Sequence, residues 1–539
     1  AMTQSAAPVP CRPRRRRRIL CLFPRYSRSF GTLHHAYPLI PGVRAFMPPQ
    51  GLLVISAWLE ERGWQVRFVD ENVRPAGPED FEWADAVLTS GMHVQREHLR
   101  SVARRARQAG RLCVAGGPSV SGCPEWYPDF DVLHLGELGD ATEELLELID
   151  RDPRPRQEQV LLRTRQRLPL ERFPIPAYHL ADLSRYFIGS LQFSSGCPYR
   201  CEFCDIPALY GGSPRTKTPE QVLAELDALV AAGCRGAVYF VDDNFVAHRK
   251  AAARLLPHLI AWQRARGYPL EMACEATLNI TQSPELLEQM RQAFFTTLFA
   301  GIETPDPAAL RAMHKEQNLL RGRSIPQAVA ELNSYGIEVV SGIIMGLDTD
   351  TPDSARRLLE FIEETAIPML TINILYALPK TPLYQRLAAQ GRILARENGL
   401  DSNVRFLLPY ETVRRNWLEA VTGAYEPEAL YRRFSHQMSH TYCHRLQPPA
   451  GSGRVNARNL WMAASILGRM LWHIGLRSHY RTTFWRFALP ALQAGRLEDL
   501  IHVGVVGHHL IQFARECAEG KAESSFYSDS PREELPRAG

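Results

Sequence analysis

Cys197, Cys201 and Cys204 are the residues of this chain best suited to chemistry. They lie in the run Ser194-Ser195-Gly196-Cys197-Pro198-Tyr199-Arg200-Cys201-Glu202-Phe203-Cys204. The spacing C-x3-C-x2-C offers three thiolates from one loop, and cysteine thiolates are the usual protein ligands of a [4Fe–4S] cluster. One of the four irons is then left without a thiolate and is open to another ligand. The bland alternative is a zinc knuckle or scattered core cysteines. Zinc sites generally pair C-x2-C with a second pair of ligands, and neither a second C-x2-C nor an H-x3-H follows at a suitable distance.

The elements that must position this loop are legible on both sides of it. An apolar segment at 188–193 precedes it, and an Ala/Leu/Glu-rich helical run at 218–232 follows, so the loop caps a strand. Strand-like runs then recur at 237–241, 271–274, 297–302, 338–345 and 371–375 with helical segments between them, which makes six β/α units. Barrel chemistry belongs at the carboxyl ends of such strands. There the chain carries Asp242-Asp243-Asn244, Glu275, Gly301-Ile302-Glu303 and the stretch 342–350.

A separate α/β domain is expected ahead of the cluster loop. Apolar runs at 19–23, 65–70, 86–90, 112–115 and 132–135 alternate with helical stretches such as 51–62 and 95–109, the pattern of a parallel, doubly wound sheet. Ser90-Gly91-Met92, Gly116-Gly117-Pro118-Ser119 and Gly136-Glu137 fall just past three strand ends. Ligands of open α/β sheets bind there, where glycine permits close backbone approach.

Composition sets the frame. With 539 residues and 45% apolar content the chain can bury two or three cores. Of the net charge of +5, Arg12 and Arg14 to Arg18 supply six positives and leave the remainder near −1, so no general nucleic-acid-binding surface follows. That run, beside Pro8, Pro10 and Pro13, reads as a disordered tail over 1–18. No secretory h-region or run of about twenty apolar residues is present, and eleven dispersed or clustered cysteines in a large chain fit a reducing cytoplasm.

The cysteine run, with Phe203 before the third cysteine, resembles the C-x3-C-x-aromatic-C signature of the radical S-adenosylmethionine (SAM) superfamily. The upstream domain, with its Pro48-Pro49-Gln50-Gly51 turn into a first helix, is similar to the cobalamin-binding domain of many members. Ser29-Phe30-Gly31-Thr32, 44–49, 274–279 and 378–382 extend the likeness to the branch that includes the hopanoid C-2 methylase. The resemblance implies a Rossmann-like cobalamin domain at 19–150, a linker at 151–190, a partial (β/α)6 barrel at 191–395 and a helical C-terminal domain at 396–539. It also implies SAM chelating the open iron and yielding a 5′-deoxyadenosyl radical. A second SAM methylates Co(I), and the substrate radical takes the methyl group from methylcobalamin.

By the same resemblance Cys197, Cys201 and Cys204 hold the cluster, while Phe203, Asp242, Asp243, Glu275, Gly301 and Glu303 serve SAM. Pro49, Gln50, Gly51, Gly91, Met92, Gly116, Gly117, Pro118, Gly136 and Glu137 serve cobalamin. The implied reaction is methylation of an unactivated sp3 carbon of a small molecule or lipid, such as a hopanoid, fed by an electron donor such as flavodoxin or ferredoxin. The chain departs from the family pattern twice. Asp242-Asp243 stands where Gly-Gly-Glu often binds the SAM amino group, and Asp131-Val132-Leu133-His134-Leu135-Gly136 lacks the spacing of the cobalt-ligating D-x-H-x-x-G, so His134 reads as a packed strand residue.

Two other radical reactions stay open at this point. One is a cobalamin-dependent cyclisation or rearrangement without methyl transfer; the other is a methylthiotransferase, with Cys21, Cys113 and Cys123 imagined around a second cluster. A cobalamin or redox sensor would need a vestigial SAM site. The C-terminal helices, rich in Arg, His, Trp and Leu and including Trp461, Trp472, Trp485 and Arg486, suggest an apolar entrance or peripheral membrane contact, or simply an amphipathic cap on the barrel mouth. Cys443 and Cys517 stand alone there, so no auxiliary cluster is expected.

Overall fold

The computed structural model describes residues 16–395, 400–449 and 456–522. Most of the arginine-rich tail lies outside the described residues, and Arg18 opens the first strand.

Two six-stranded parallel sheets organise the chain. The first contains β1 (Arg18–Phe23), β2 (Gln65–Asp70), β3 (Ala86–Ser90), β4 (Leu112–Gly116), β5 (Val132–Leu135) and β6 (Val160–Arg163), in the order β2-β1-β3-β4-β5-β6. Residues along β1, β3, β4 and β5 are buried on both faces. That explains their continuous apolar runs, because helices cover both sides of a doubly wound sheet. The sheet separates two cores: Cys21 belongs to one, and Cys113 and Cys123 to the other. Those three cysteines cannot share a cluster, which removes the methylthiotransferase arrangement. The sixth strand was not expected, because it falls in the proline-rich stretch 151–190; β6 pairs with β5 from Val132↔Val160 to Leu135↔Arg163.

The second sheet holds β7 (Gly189–Leu191), β10 (Gly236–Phe240), β11 (Leu270–Glu275), β12 (Phe295–Glu303), β13 (Glu338–Met345) and β14 (Met369–Ile374), in the order β14-β13-β12-β11-β10-β7. A short antiparallel ribbon of β8 (Ser194–Ser195) and β9 (Arg215–Thr216) frames the cluster loop. Along β11 to β14 buried residues alternate with partly exposed ones. One face packs on helices, and the other lines a lumen in which side chains stay partly exposed, unlike the packed interior of a closed eight-stranded barrel. Gly342 faces that lumen, since a Cβ there would lie 3.4 Å from Phe299 and 3.7 Å from Glu303 Oε2.

An open barrel has an edge strand whose backbone needs partners. Helix Tyr410–Ala424 lies along β14: Trp417 Nε1 donates to the Ile372 carbonyl at 2.9 Å, and the Tyr425 hydroxyl accepts from the Leu370 amide at 3.0 Å. This helix covers the open side of the barrel rather than capping its mouth. The C-terminal helices share one continuous core with the barrel. They include Pro427–His440 and a π-helical turn at Leu471–Leu476.

Candidate functional site

Strand β7 delivers the chain to the cluster loop, and the two aspartates after β10 hold that loop in place. Asp242 accepts the Phe193 amide at 2.7 Å and the Ser194 hydroxyl at 2.8 Å, while Asp243 accepts the Gly196 amide at 2.7 Å. Gly196 has φ +92°, and a side chain there would meet the carbonyl oxygens of Gly211 at 3.0 Å and Ser213 at 3.2 Å. The loop therefore needs glycine at this turn. Glu202, between the second and third cysteines, forks onto Arg386 at 2.7 and 3.0 Å.

Burial pushes the Cys197 and Cys204 thiols above their ordinary range, and the nearby Cys201 pushes both further. Three converging thiols, with ionisation of Cys197 and Cys204 opposed by burial and by the neighbouring cysteine, form a donor set that a positively charged iron cluster satisfies. Two groups absent from the sequence reading stand beside them. Gln317 Nε2 donates to Cys201 Sγ at 3.2 Å. Lys315 Nζ sits 5.3 Å from the Phe203 ring centroid and 2.7 Å from Glu303 Oε1. Burial opposes the Lys315 charge, but Glu303 and the neighbouring cysteines outweigh it and hold the ammonium above its usual range. A Cβ at Gly301 would collide with Glu303 Oε1 and lie 2.8 Å from Lys315 Nζ, so glycine makes room for this pair.

Glu275, at the end of β11, accepts the Tyr239 hydroxyl at 3.2 Å. Burial pushes its carboxyl up to about 7, with the charge of Asp243 adding to the effect; burial likewise raises Asp242 to about 7 and Asp243 to about 6. Three desolvated carboxylates with little cationic balance suit a ligand that carries a sulfonium and an amino group, as SAM does. A cavity of about 240 Å³, lined by Phe203, Leu347 and Leu375 among others, opens beside the loop. Because a cationic ligand favours the ionised carboxylates, SAM is expected to bind the cluster-loaded protein more tightly as pH rises from 6 to 8. Glu275→Gln should flatten this gain by up to about tenfold, one pKa unit being about 1.4 kcal/mol; calorimetric titration at several pH values is the check, and an unchanged slope would remove Glu275 from the SAM site.

The cobalamin candidates form a ledge at the carboxyl ends of the adjacent strands β3, β4 and β5. Gly117 and Gly136 have φ +89° and +103°, and Cβ atoms there would crowd Ser90 and Thr164. Positive φ and close packing against these neighbours make glycine the residue for both turns, and Met92 stands 41% exposed beside them. Gly116 has ordinary clearance from His134, a Cβ at Gly91 would crowd Leu99, and Pro118 opens a short helix whose Ser119 is hydrogen-bonded to His93 at 2.9 Å. His134 is a strand residue: its Nε2 lies 3.0 Å from Thr142 Oγ1 and burial brings it down to about 4.

Pro49 precedes helix Gln50–Glu61, and Gln50 Oε1 accepts the Ser190 hydroxyl of β7 at 3.0 Å. Gly51 is exposed with open space around it. Glu137 turns its carboxylate away from the ledge to the cluster loop, accepting Ser195 Oγ at 3.1 Å and Arg215 Nη2 at 2.7 Å, with Arg167 Nε at 3.3 Å. His93 Nε2 lies 3.5 Å from Asp205, the residue after Cys204. The ledge and the cluster loop thus face each other across polar links.

Three family models match the chain: a B12 binding domain over residues 40–146, the radical SAM superfamily over 191–362, and a domain of unknown function over 381–523. Hopanoid C-2 methylase of Rhodopseudomonas palustris is 54% identical over 96% of this chain and 97% of its own length. An uncharacterised methyltransferase of Synechocystis is 31% identical over 92% of each chain. Among solved structures, the radical SAM methyltransferase TsrM from Kitasatospora setae, with cobalamin and a [4Fe–4S] cluster bound, shares the fold with a TM-score of 0.58 at 15% identity. The match covers 94% of this chain and 100% of that one.

Proposed function

Because this chain belongs to the cobalamin-dependent radical SAM methyltransferases, with a [4Fe–4S] cluster, SAM and cobalamin as cofactors, we propose that its substrate is a hopanoid and that a flavodoxin or ferredoxin supplies its electrons. The near-full-length match to the Rhodopseudomonas palustris enzyme, which runs through the C-terminal helices, carries this reading. When bound, the cofactors supply a hydrogen-abstracting radical and a transferable methyl group.

The chain's own residues supply placement. Cys197, Cys201 and Cys204 hold the cluster, and Asp242 and Asp243 fix the loop that carries them. Glu275 and the Glu303–Lys315 pair border the SAM site. The partly exposed residues of the lumen, among them Phe299, Gly342 and Thr371, leave space for substrate between the cluster loop and the cobalamin ledge. Holding the target carbon within reach of both cofactors is the main catalytic lever, since proximity and orientation are worth several kcal/mol.

A hopanoid is a polycyclic, hydrocarbon-rich lipid that partitions into bilayers, and the C-terminal helices offer a surface for meeting one. Trp461 and Leu476 are each 62% exposed and Trp472 is 53% exposed, with the Arg477 guanidinium 5.5 Å from the Trp472 ring. Next to them, Leu476, Trp485 and Leu489 line an open depression rimmed by Arg481 and Arg486. No helix among the described residues is long and apolar enough to cross a membrane; the contact proposed is a peripheral one at the cytoplasmic face of the inner membrane, with arginines toward anionic headgroups. The double variant Trp461→Ser/Trp472→Ser is expected to lose about tenfold or more in affinity for anionic phospholipid vesicles, at roughly 1.5–3 kcal/mol per large apolar side chain buried. Undiminished co-flotation would place the contact elsewhere.

The direct test of function is anaerobic reconstitution with iron, sulfide and cobalamin, then mass spectrometry of reactions containing reductant, methyl-deuterated SAM and a hopanoid. A hopanoid heavier by one labelled methyl, formed together with 5′-deoxyadenosine and S-adenosylhomocysteine, supports the reading. Hopanoid left unmodified by an enzyme that cleaves SAM would overturn the substrate.

A further inference from the structure

A second constellation of ligating side chains lies on elements that contribute nothing to the cluster, SAM or cobalamin sites described above. After the short helix Phe30–Thr32, Leu33 adopts φ +49° and turns the chain so that His34 and His35 meet Glu516 of helix Leu497–Ala518. His34 Nε2 lies 3.4 Å from Glu516 Oε2 and His35 Nε2 lies 3.0 Å from Oε1. Donor atoms from all three residues fall within 4.8 Å of one another. Nitrogen and oxygen donors about 2.0–2.1 Å from a tetrahedral zinc ion stand about 3.3 Å apart, so the observed spacings suit a shared ion.

The protons point the same way. Thr32 Oγ1 donates to the Ser29 carbonyl at 2.9 Å and accepts the Ser29 amide at 3.0 Å. Its hydroxyl proton is therefore committed, and toward His34 Nδ1, 3.0 Å away, it acts as an acceptor. Nδ1 carries the proton, and in the neutral ring Nε2 presents a lone pair to the Glu516 carboxylate. Two acceptors facing each other repel unless a cation lies between them. A histidine whose far nitrogen donates to an oriented oxygen is also the usual outer-shell arrangement of a metal ligand. His35 Nε2 is buried without a well-formed hydrogen bond despite its closeness to Glu516. His509 is excluded as a ligand, because its Nε2 lies 2.9 Å from the Phe30 carbonyl and its Nδ1 faces the His35 amide. Arg28, with Nη1 3.6 Å from Glu516 Oε1, is the one further cation near the carboxylate among the described residues.

We infer that His34, His35 and Glu516 form a structural site for a divalent transition ion, with zinc as the best match to a His2Glu donor set, and that the ion pins the N-terminal loop to the last described helix. The site is independent of the hopanoid reading. Its test uses the cluster-loaded protein, incubated with zinc, gel-filtered and assayed for metal content. One zinc per chain is expected, with an X-ray absorption edge reporting nitrogen and oxygen donors and no sulfur, and with a thermal midpoint raised by a few degrees. Glu516→Gln, which keeps the size of the side chain, and His35→Ala should each weaken zinc binding at least tenfold and abolish the thermal gain, whereas methyl transfer by wild type is not the readout. Absence of retained zinc in the wild type, sulfur ligation of whatever zinc is retained, or full zinc binding by a folded Glu516→Gln protein would each overturn the site.

Discussion

Glu137→Gln is expected to cut methylated product about a hundredfold while cleavage of SAM to 5′-deoxyadenosine persists. Glu137 follows β5 on the cobalamin ledge, yet its carboxylate is committed to Ser195, Arg215 and Arg167 around the cluster loop. Arg167 also donates to the carbonyls of Tyr210 at 2.6 Å and Leu209 at 3.0 Å, behind the same loop. One mostly buried carboxylate therefore neutralises two guanidinium groups and sets how far the ledge stands from the cysteines. Substituting the amide removes that charge and turns an N–H donor toward a guanidinium, so the two cofactor platforms separate. A displacement of about 1 Å costs roughly a hundredfold in a reaction that depends on placement. Cluster absorbance and SAM cleavage rest on the loop itself, held by Asp242 and Asp243. The quantity to measure is the ratio of 5′-deoxyadenosine to methylated product. If both fall in parallel, Glu137 supports the loop alone and the coupling argument is wrong.

The same residue marks the boundary of what the sequence reveals. Strands β5 and β13 occupy the positions read from their apolar runs, because a doubly covered strand and a lumen-facing strand each leave a strong local pattern. The cysteine loop was legible for the same reason: its ligands are neighbours in sequence. Lys315 and Gln317 were not, since Gln317 meets Cys201 across 116 residues and nothing in its surroundings distinguishes it from any polar loop residue. Strand β6 was obscured by the prolines around it, although its ladder to β5 needs only four residues. Asp242 and Asp243 stand out in the sequence as SAM contacts at a strand end, whereas in the structure their carboxylates are hydrogen-bonded to the cluster loop. Their hydrogen bonds to the loop backbone depend on a tertiary register that no local signal encodes. The C-terminal part was legible as helical, but the task of helix Tyr410–Ala424 was not, because covering the free edge of β14 is a need of the barrel and is not written in the helix itself.

Lys217→Met is expected to be the most destabilising single change at the barrel's entry, by roughly 3–5 kcal/mol, the usual cost of leaving one member of a buried ion pair without its partner. Lys217 follows β9, donates its amide to the Phe193 carbonyl at 2.8 Å, and sends Nζ to Glu225 Oε1 at 2.5 Å; both side chains are fully buried. Glu225 sits on the inward face of helix Pro219–Ala231 beside Val222, Leu226 and Leu229, and its Oε2 has no partner. Burial pushes its carboxyl up to about 7 even with Lys217 pulling the other way. Without the lysine the folded-state value moves higher still, so this group binds more protons in the folded than in the unfolded chain over a wider span. The variant's deficit should therefore be small below the unfolded value of 4.5 and grow as pH rises through 7, where the folded state must either ionise a buried acid or hold its proton. The double variant Lys217→Met/Glu225→Leu should recover the loss and can exceed wild type, since a packed apolar pair avoids the desolvation of both charges. Urea unfolding of the apo-protein at pH 5 and pH 8 measures both effects. A single variant as stable as wild type at pH 8, or a double variant no better than the single, would show that the ion pair is not what fixes this helix beneath the cluster loop.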